Sequence, residues 1–525
     1  TVDRVILGTD NDDTLTGDVA VGYVDAKGGN DTFVGSAAAE EILGGAGDDT
    51  LSGGAGNDTL RDSQGSNVLV GDAGNDLIDI SGASAPTVQV DGGEGTDTLR
   101  INANANWDNI TVSNVEILDG NIQDYNNSNN SSQSTLTVQQ VLDKGFTSAQ
   151  NIVFGLDQNQ SDGEIDASGL AGALSLRGTN YSDVLIGNND NNTIFLNARD
   201  HRNSGGAGVD SVSAGAGDDI IAWAARDGGR WNDHFSAADQ ASHTYFLSGN
   251  IDGGSGKDAL TLDFGAYHWQ QVTGRYTHYD DASSWALDLT GLKLAGIEAL
   301  NVSGNVGNET KYPSNFIFTV DQLASLDSAT GLTSVIIKGG GIVDLAHLAA
   351  LNITNWKIGD DLAYTFTGTS AADTVEVGTG QSVVNTGDGD DTIRISDQSD
   401  SSNVLNGGAG QDTLVISGAD VDISTLSIDG VEAIRVSSDS LAFSAAQWET
   451  FGENITRTPG ASTEFTLALD TAAVETLSDD SDFVGFSGST ENDQLTGNAS
   501  NNIILGNAGD DVLVGGAGDD RLVAG

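Results

Sequence analysis

Eight nine-residue units follow one another without a break over residues 8–79. The two most regular, residues 44–52 and 53–61, share the pattern Gly-Gly-x-Gly-x-Asp-x-U-x, in which U is a large apolar residue. Each unit joins a glycine-rich turn to one acidic and one apolar side chain. One unit cannot bury a core alone, but stacked copies can share one. The period therefore predicts a repetitive fold that grows along one axis.

The pattern recurs in residues 178–222, 368–394 and 488–523, and in isolated units at 92–100, 253–261 and 407–415. Its sixth position almost always carries a side-chain oxygen, although Gly22 and Asn67 depart from the acidic pattern. The other sixth-position residues are Asp13, Asp31, Glu40, Asp49, Asp58, Asp76, Asp97, Asp183, Asn192, Asp210, Asp219, Asp258, Asp373, Asp391, Asp412, Asp493, Asn502, Asp511 and Asp520.

A longer module recurs between the tracts. A Val/Ile-Glu motif led by Asn or Gly appears at residues 114–118, 296–300 and 430–434, and a Gln-containing segment follows each motif, at 136–142, 318–326 and 443–451. The order is the same three times, which indicates duplication of a unit of roughly 150 residues. Most of the intervening sequence is typical of short strands. The best helix signals are residues 320–326 and 345–351.

These patterns predict seven segments. We expect repeat tracts in residues 1–100, 178–261, 368–415 and 488–525, the second of them with an insertion rich in His and Trp. We expect β-rich modules in residues 101–177, 262–367 and 416–487.

Composition limits the partners. The chain has 525 residues, with 77 acidic against 20 basic ones, and a formal net charge of −57. This charge argues against nucleic acid and against insertion into an anionic membrane, and it favours bound cations. There is no Cys, so disulfides do not stabilise the fold. Because Met is also missing, we expect a processed or shortened N-terminus.

The repeat has the chemistry of a calcium site. Glycine turns can point carbonyl oxygens inward, and Asp adds anionic oxygens. Oxygen-only ligand sets suit Ca²⁺, whereas Zn²⁺ prefers Cys or His. Polar turns of a metal-free β-solenoid are the alternative. The candidate ligands are Asp13, Asp31, Asp49, Asp58, Asp76, Asp97, Asp210, Asp219, Asp258, Asp373, Asp391, Asp412, Asp493, Asn502, Asp511 and Asp520, with the turn residues Gly45, Gly47, Gly54, Gly56, Gly516 and Gly518.

Residues 44–61 and 506–523 resemble the RTX calcium-binding nonapeptide repeats of secreted bacterial proteins. The resemblance implies an all-β fold of parallel β-roll or β-helix (solenoid) tracts, with intervening β-rich modules and only short helices. It implies multiple Ca²⁺ ions between the loops of units n and n+2, and secretion by a type I system. It pairs Asp13 with Asp31, Asp31 with Asp49, Asp58 with Asp76, Asp493 with Asp511, and Asn502 with Asp520. Asp62, at a first position, is expected to matter little.

One region could carry other chemistry. Five of the six His residues lie between His201 and His278, and four of the seven Trp residues lie between Trp223 and Trp285. We favour an end cap, a local core or a partner interface for this region. A glycan-binding surface or a catalytic site is the alternative.

We expect a secreted, Ca²⁺-dependent structural protein of the bacterial cell surface, similar to RTX surface-layer proteins or large adhesins. It is expected to self-associate into a lattice or filament and to meet cell-surface polysaccharide, without catalytic residues. The alternative is an RTX-bearing polysaccharide lyase or epimerase, or a glycan-binding module.

Overall fold

The computed structural model shows which parts of the chain form regular structure. The residues that it describes are 4–81, 87–102, 107–122, 137–156, 163–178, 182–197, 210–224, 244–263, 286–303, 315–332, 334–345, 353, 355–358, 360–396, 399, 401–437, 440–451, 454–457, 466–469, 472–477 and 485–525.

The strands form where the repeat places its apolar residue. Leu51, Leu60 and Ile78 are fully buried, whereas Thr50 and Arg61 beside them are exposed. This alternation is that of a strand with one inward side chain. Each buried Leu or Ile contributes about 1.5–3 kcal/mol relative to an exposed one, so one residue per unit supplies the core.

The chain divides into two compact units. The first comprises Thr1–His234, Ser248–Thr273 and Leu292–Thr310, and the second comprises Phe235–Leu247, Gly274–Gly291 and Lys311–Gly525. The strands Thr244–Asp252 and Ala286–Ala295 contribute residues to both.

In the first unit, each strand pairs in parallel with the strand one full turn later. One sheet contains Arg4–Leu7, Val21–Asp25, Glu41–Leu43, Thr59–Arg61, Leu77–Asp79, Thr98–Asn102, Ile117–Ile122, Ser148–Gly155, Ser175–Arg177, Thr193–Asn197, Ile220–Ala224, Ala259–Asp263 and Ala299–Ser303. A second contains Thr14–Thr16, Thr32–Ser36, Thr50–Gly54, Asn67–Val70, Val88–Asp91 and Ile110–Ser113, and a third begins with Glu164–Asp166, Val184–Ile186 and Asp210–Ser213.

The second unit repeats this architecture. One set of parallel strands contains Asn315–Thr319, Ser334–Lys338, Asn355–Ile358, Thr374–Glu376, Thr392–Ser396, Thr413–Ser417, Ala433–Val436 and Ile455–Arg457. A second contains Gly341–Asp344, Tyr364–Thr367, Ser382–Asn385, Val404–Asn406 and Ser427–Asp429. A third contains Asp420–Asp422, Ser440–Phe443, Thr466–Leu469, Gly485–Ser487, Ile503–Leu505 and Arg521–Val523, and a fourth contains Val474–Thr476, Gln494–Thr496 and Val512–Val514. Ser328–Thr330 is a further strand of this unit.

The register stacks the buried residues directly above one another. Leu51 pairs with Leu69, and Leu60 pairs with Ile78. The stacking continues beyond the tandem repeats, because Leu99 pairs with Leu118. The predicted parallel β-solenoid is therefore confirmed, and its turns continue into a predicted β-rich module. The division into seven segments stays a prediction.

Only short helices interrupt the strands in the described part of the chain: Val138–Asp143, Val320–Ala324 and Ala445–Phe451, with the 3₁₀ turn Trp107–Asn109. Each α-helix begins in a recurring Gln-containing segment. Gln322 shows why the segment recurs, because its backbone N–H donates to Thr319 Oγ1 and its side chain donates to the Leu289 carbonyl. The predicted helix at 320–326 is present but ends earlier, at Ala324, whereas residues 346–351 of the other lie outside the described residues. No helix that the structure describes has the length and apolarity of a membrane span.

Candidate calcium-binding rows

The sixth-position residues form ladders along the solenoid. The backbone N–H of Asp31 donates to Asp49 Oδ1 at 2.7 Å, and that of Asp58 donates to Asp76 Oδ1 at 2.7 Å. Each acid thus holds the turn before it through one carboxylate oxygen. The members of each predicted pair are hydrogen-bonded neighbours, at 2.7–2.9 Å: Asp13 with Asp31, Asp31 with Asp49, Asp58 with Asp76, Asp493 with Asp511, and Asn502 with Asp520. Their role as calcium ligands stays a prediction.

The isolated units join these ladders. The N–H groups of Asp76, Asp219 and Asp391 donate to Oδ1 of Asp97, Asp258 and Asp412, each at 2.8 Å. Four longer ladders result: row A (Asp13, Asp31, Asp49, Asn67), row B (Glu40, Asp58, Asp76, Asp97), row C (Asn192, Asp219, Asp258) and row D (Asp373, Asp391, Asp412). Asp183 and Asp210 form a shorter pair.

The second oxygen of most of these acids is buried without a hydrogen-bond partner. An unpaired buried carboxylate costs several kcal/mol, so these oxygens call for a proton or a cation. The oxygens concerned are Oδ2 of Asp31, Asp49, Asp58, Asp76, Asp97, Asp219, Asp258, Asp391, Asp412 and Asp511, and Oε2 of Glu40. Oδ2 of Asp62, at a first position, is buried without a partner as well.

Burial also changes how these acids ionise. It raises the pKa of Asp58 and of Asp210 to about 7, and that of Asp76 to about 6. Neighbouring acids add to the effect, since Glu40 raises the pKa of Asp58 and Asp97 raises that of Asp76. Without a bound cation, these buried acids therefore hold a proton at a higher pH than exposed acids do.

The glycines let the loops stack closely. Gly54 has φ of 94°, and a Cβ there would lie 2.3 Å from the Ser36 carbonyl oxygen. Only glycine fits this backbone and this approach. The predicted turn residues Gly45, Gly47, Gly54, Gly56, Gly516 and Gly518 all have positive φ, between 94° and 138°.

The hydrogen bonds of the Asn192 side-chain amide show which oxygens line the space between the loops. Its Nδ2 donates to the carbonyl oxygens of Asp190 (2.6 Å), Ala214 (3.2 Å) and Asn188 (3.4 Å), and to Asp219 Oδ1 (3.1 Å). Four oxygens thus face one point, where a positively polarised group is favoured. A cage of mixed carbonyl and carboxylate oxygens has the chemistry that Ca²⁺ prefers. Among the described residues, no three His, Cys, Asp or Glu side chains gather around one point.

Two features were missed from the sequence. The fifth position forms a ladder of opposite direction, in which Asp48 N–H donates to Asn30 Oδ1 and Ser66 N–H donates to Asp48 Oδ1. The frequent Asn or Asp at this position was its signal. The second is the place of Asp62, which is buried: a Cβ at Gly44 would lie 2.2 Å from Asp62 Oδ2 and 2.9 Å from Asp49 Oδ2. The expectation that Asp62 matters little stays a prediction, although this position beside Asp49 speaks against it. Asp62 restores a carboxylate in the turn whose sixth position is Asn67.

Some candidates differ from the rest. Both oxygens of Asp373 accept hydrogen bonds, as do both oxygens of Asp493. Asp13 Oδ2 accepts from the Thr9 N–H at 2.6 Å. Within residues 201–285 the structure describes 210–224 and 244–263. The five His residues of this region and Trp231, Trp269 and Trp285 lie outside the described residues, so the interpretation of the region stays open.

Fold and rows together define a calcium-binding β-roll protein. The family model described as RTX calcium-binding nonapeptide repeat (4 copies) matches residues 25–60, 61–79, 175–198, 204–222, 367–401, 399–415 and 487–522. The chain therefore carries RTX nonapeptide repeats, and such repeats bind Ca²⁺. No curated protein sequence matches the chain.

Proposed function

We propose that this chain is a secreted, Ca²⁺-dependent structural protein of the bacterial cell surface, a scaffold of the surface-layer or adhesin type. The observation that carries the proposal is the spread of buried, unpartnered carboxylates, from Asp31 in the first unit to Asp511 in the second. A catalytic or ligand-binding site needs metal at one place. A chain whose successive turns each need a cation uses metal as part of its framework.

Secretion follows from the same chemistry. Extracellular modules bind Ca²⁺ with dissociation constants of roughly 10⁻⁴–10⁻³ M, far above cytosolic levels. With a net charge of −57, the metal-free chain would remain loose before export and fold outside the cell. RTX repeats are typical of secreted proteins, which agrees with this order of events.

Self-association into a lattice or filament is the second part of the proposal. Bound Ca²⁺ would lower the repulsion between chains and make their sides rigid. Successive turns then present similar surfaces, and many weak contacts between such surfaces add up through multivalency. Cell-surface polysaccharide is a further partner, since acidic glycans and this acidic chain can share Ca²⁺.

The test combines light scattering and negative-stain imaging across a Ca²⁺ titration, with alginate-like and pectin-like substrates assayed in parallel. We expect association at millimolar Ca²⁺ and no turnover. A protein that stays monomeric at every Ca²⁺ level and cleaves or epimerises a uronic-acid polymer would instead support the RTX-bearing lyase or epimerase. Saturable glycan binding without association would support a glycan-binding module.

A further inference from the structure

The three Val/Ile-Glu motifs are repeat loops with three residues removed. Ile117, directly after Glu116, pairs with Thr98, the seventh residue of the preceding nonapeptide. Ala299 after Glu298 and Ala433 after Glu432 occupy the same register. Asn114, Gly296 and Gly430, which lead the motifs, have φ of 51°, 56° and 58°. The carbonyl before each leading residue accepts from the first N–H of the preceding repeat, as Ser113 does from Gly92 at 3.0 Å. Each leading residue therefore takes the first position of a repeat and each Glu takes the sixth, with one residue between them instead of four.

The glutamates also take over the hydrogen bond of the sixth position. The N–H of Asp97 donates to Glu116 Oε2 at 2.9 Å, and that of Asp258 donates to Glu298 Oε2 at 2.8 Å. The N–H of Asp412 donates to Glu432 Oε2 at 2.7 Å. Inside the rows an Asp makes this bond. In the shortened loop the longer Glu side chain reaches the same backbone group.

The last Asp of rows B, C and D still has one carboxylate oxygen without a hydrogen-bond partner. Asp97, Asp258 and Asp412 are at most 1% exposed, and Oδ2 of each has no hydrogen-bond partner. A Cβ on Gly92 would lie 1.9 Å from the Asn114 carbonyl oxygen and 2.6 Å from Asp97 Oδ2.

At Gly407 the corresponding distances are 2.0 Å to the Gly430 carbonyl oxygen and 2.8 Å to Asp412 Oδ2. In both rows, a carbonyl oxygen of the short turn and a free carboxylate oxygen thus converge beside a glycine. The Glu carboxylate brings a second negative charge to this place.

We propose that each short turn completes a terminal Ca²⁺ site, in which Glu116, Glu298 and Glu432 act as ligands opposite Asp97, Asp258 and Asp412. Two carboxylates and a backbone carbonyl form an oxygen set suited to this hard cation. After Glu116 the row ends, because Ile117 pairs with Ser148 and the residue before Ser148 is Thr147, which carries no carboxylate. A Glu serves here because an Asp would not reach across the shortened loop. A Gln would satisfy the N–H group without adding charge.

The test uses that last difference. In the variant E116Q/E298Q/E432Q, each Gln still offers an acceptor to the backbone N–H, so the fold should persist at saturating Ca²⁺, which circular dichroism checks. Equilibrium dialysis at a free Ca²⁺ concentration that just saturates the natural chain should then give three bound ions fewer. Glu164→Gln, on an exposed strand position, is the matched control and should bind the full number.

An unchanged ion count with unchanged affinity would overturn the proposal and leave the glutamates as backbone caps only. If the triple variant does not fold, the three single variants are measured instead, and each should lose one ion. Because the readout is ion count, failure here leaves the proposed cell-surface role untouched, and failure to assemble leaves the terminal sites untouched.

Discussion

Row D opens with Asp373 and closes with Asp412, and these two Asp residues occupy the same position of the repeat. Their carboxylates differ in how many of their oxygens accept hydrogen bonds. Oδ1 of Asp373 accepts from Trp356 Nε1 at 3.1 Å, and its Oδ2 accepts from the Thr369 N–H and hydroxyl at 2.8 and 3.0 Å. Asp412 uses Oδ1 for the Asp391 N–H, and its buried Oδ2 has no partner. Both carboxylate oxygens of Asp373 are therefore satisfied without a cation, whereas one oxygen of Asp412 is not.

The residue four positions before the acid makes the difference. In the closing turn this residue is Gly408, with φ of 95°. In the opening turn it is Thr369, which keeps negative φ and turns both its N–H and its hydroxyl toward the acid. Ser489 does the same for Asp493, and Thr9 for Asp13. The comparison teaches that an Asp in the motif keeps an oxygen free for metal where the residue at the second position has positive φ, as Gly408 does before Asp412 and Lys27 (φ of 77°) does before Asp31.

The largest expected effect is that of removing Ca²⁺. At ten times its Kd, each bound ion stabilises the fold by about 1.4 kcal/mol. Several such ions match the stability of a typical domain, about 5–15 kcal/mol. In excess chelator we expect loss of most of the β signal in circular dichroism and a large fall in Tm, both restored by Ca²⁺ but not by Mg²⁺. An unchanged spectrum and Tm would show that the free oxygens need no cation.

The second effect is a pH dependence of the metal-free protein. The raised pKa values of Asp58 (about 7) and Asp76 (about 6) mean that the folded chain holds protons which the unfolded chain releases near pH 4. Stability in chelator should therefore be greatest near pH 4 and fall as pH rises to 8. Thermal melts in chelator measure this, while Ca²⁺ affinity should rise over the same range. A Tm that does not change with pH would contradict the conclusion that these acids are protonated in the folded, metal-free chain.

A pair of substitutions tests the two turns of row D directly. Asp412→Asn should remove at least one ion and about 1.4 kcal/mol of stability at ten times the Kd. In chelator the same variant should be more stable than the natural chain, because it no longer buries an unpaired carboxylate. Asp373→Asn is the matched control and should leave the ion count unchanged. Calorimetric titration and melts with and without Ca²⁺ separate these outcomes, and equal ion loss from both variants would refute the role of the second position.

The smallest expected effect is at Asp62. Because its carboxylate adds charge beside Asp49 Oδ2, Asp62→Asn should weaken one site by roughly threefold, about 0.7 kcal/mol. The raised pKa of Asp62, about 8, has burial as its main cause and Asp49 as a further one. Asp48→Asn, at the exposed fifth position of a neighbouring turn, is the control. Competition with a fluorescent Ca²⁺ chelator measures the difference, and identical titrations would return Asp62 to a purely structural role.

Much of this arrangement could be predicted from the nonapeptide. A nine-residue half-turn places Asp31 next to Asp49 and buries Leu51 above Leu69, so the parallel stacking and the pairs follow from the period. The joining of Asp219 to Asp258 could not be predicted, since 39 residues separate them and only the sheet register brings them together.

The finer distinctions depend on hydrogen-bond geometry rather than on residue type. Thr369 and Gly408 occupy the same motif position, and only their backbone angles show that one completes its acid and the other leaves it free. Glu116 gave a signal, because its motif recurs three times, but its part in row B depends on the register of Ile117 with Thr98.

The most direct test of the account is to locate the ions. Crystals grown at saturating Ca²⁺ and measured at long wavelength would give anomalous difference peaks at the metal positions. We predict peaks beside the free oxygens of Asp58, Asp76 and Asp412, and none at the Asn192 amide, where a nitrogen already fills the oxygen cage. Empty density beside those carboxylates, with Ca²⁺ bound only elsewhere on the chain, would contradict the claim that these rows are the calcium framework.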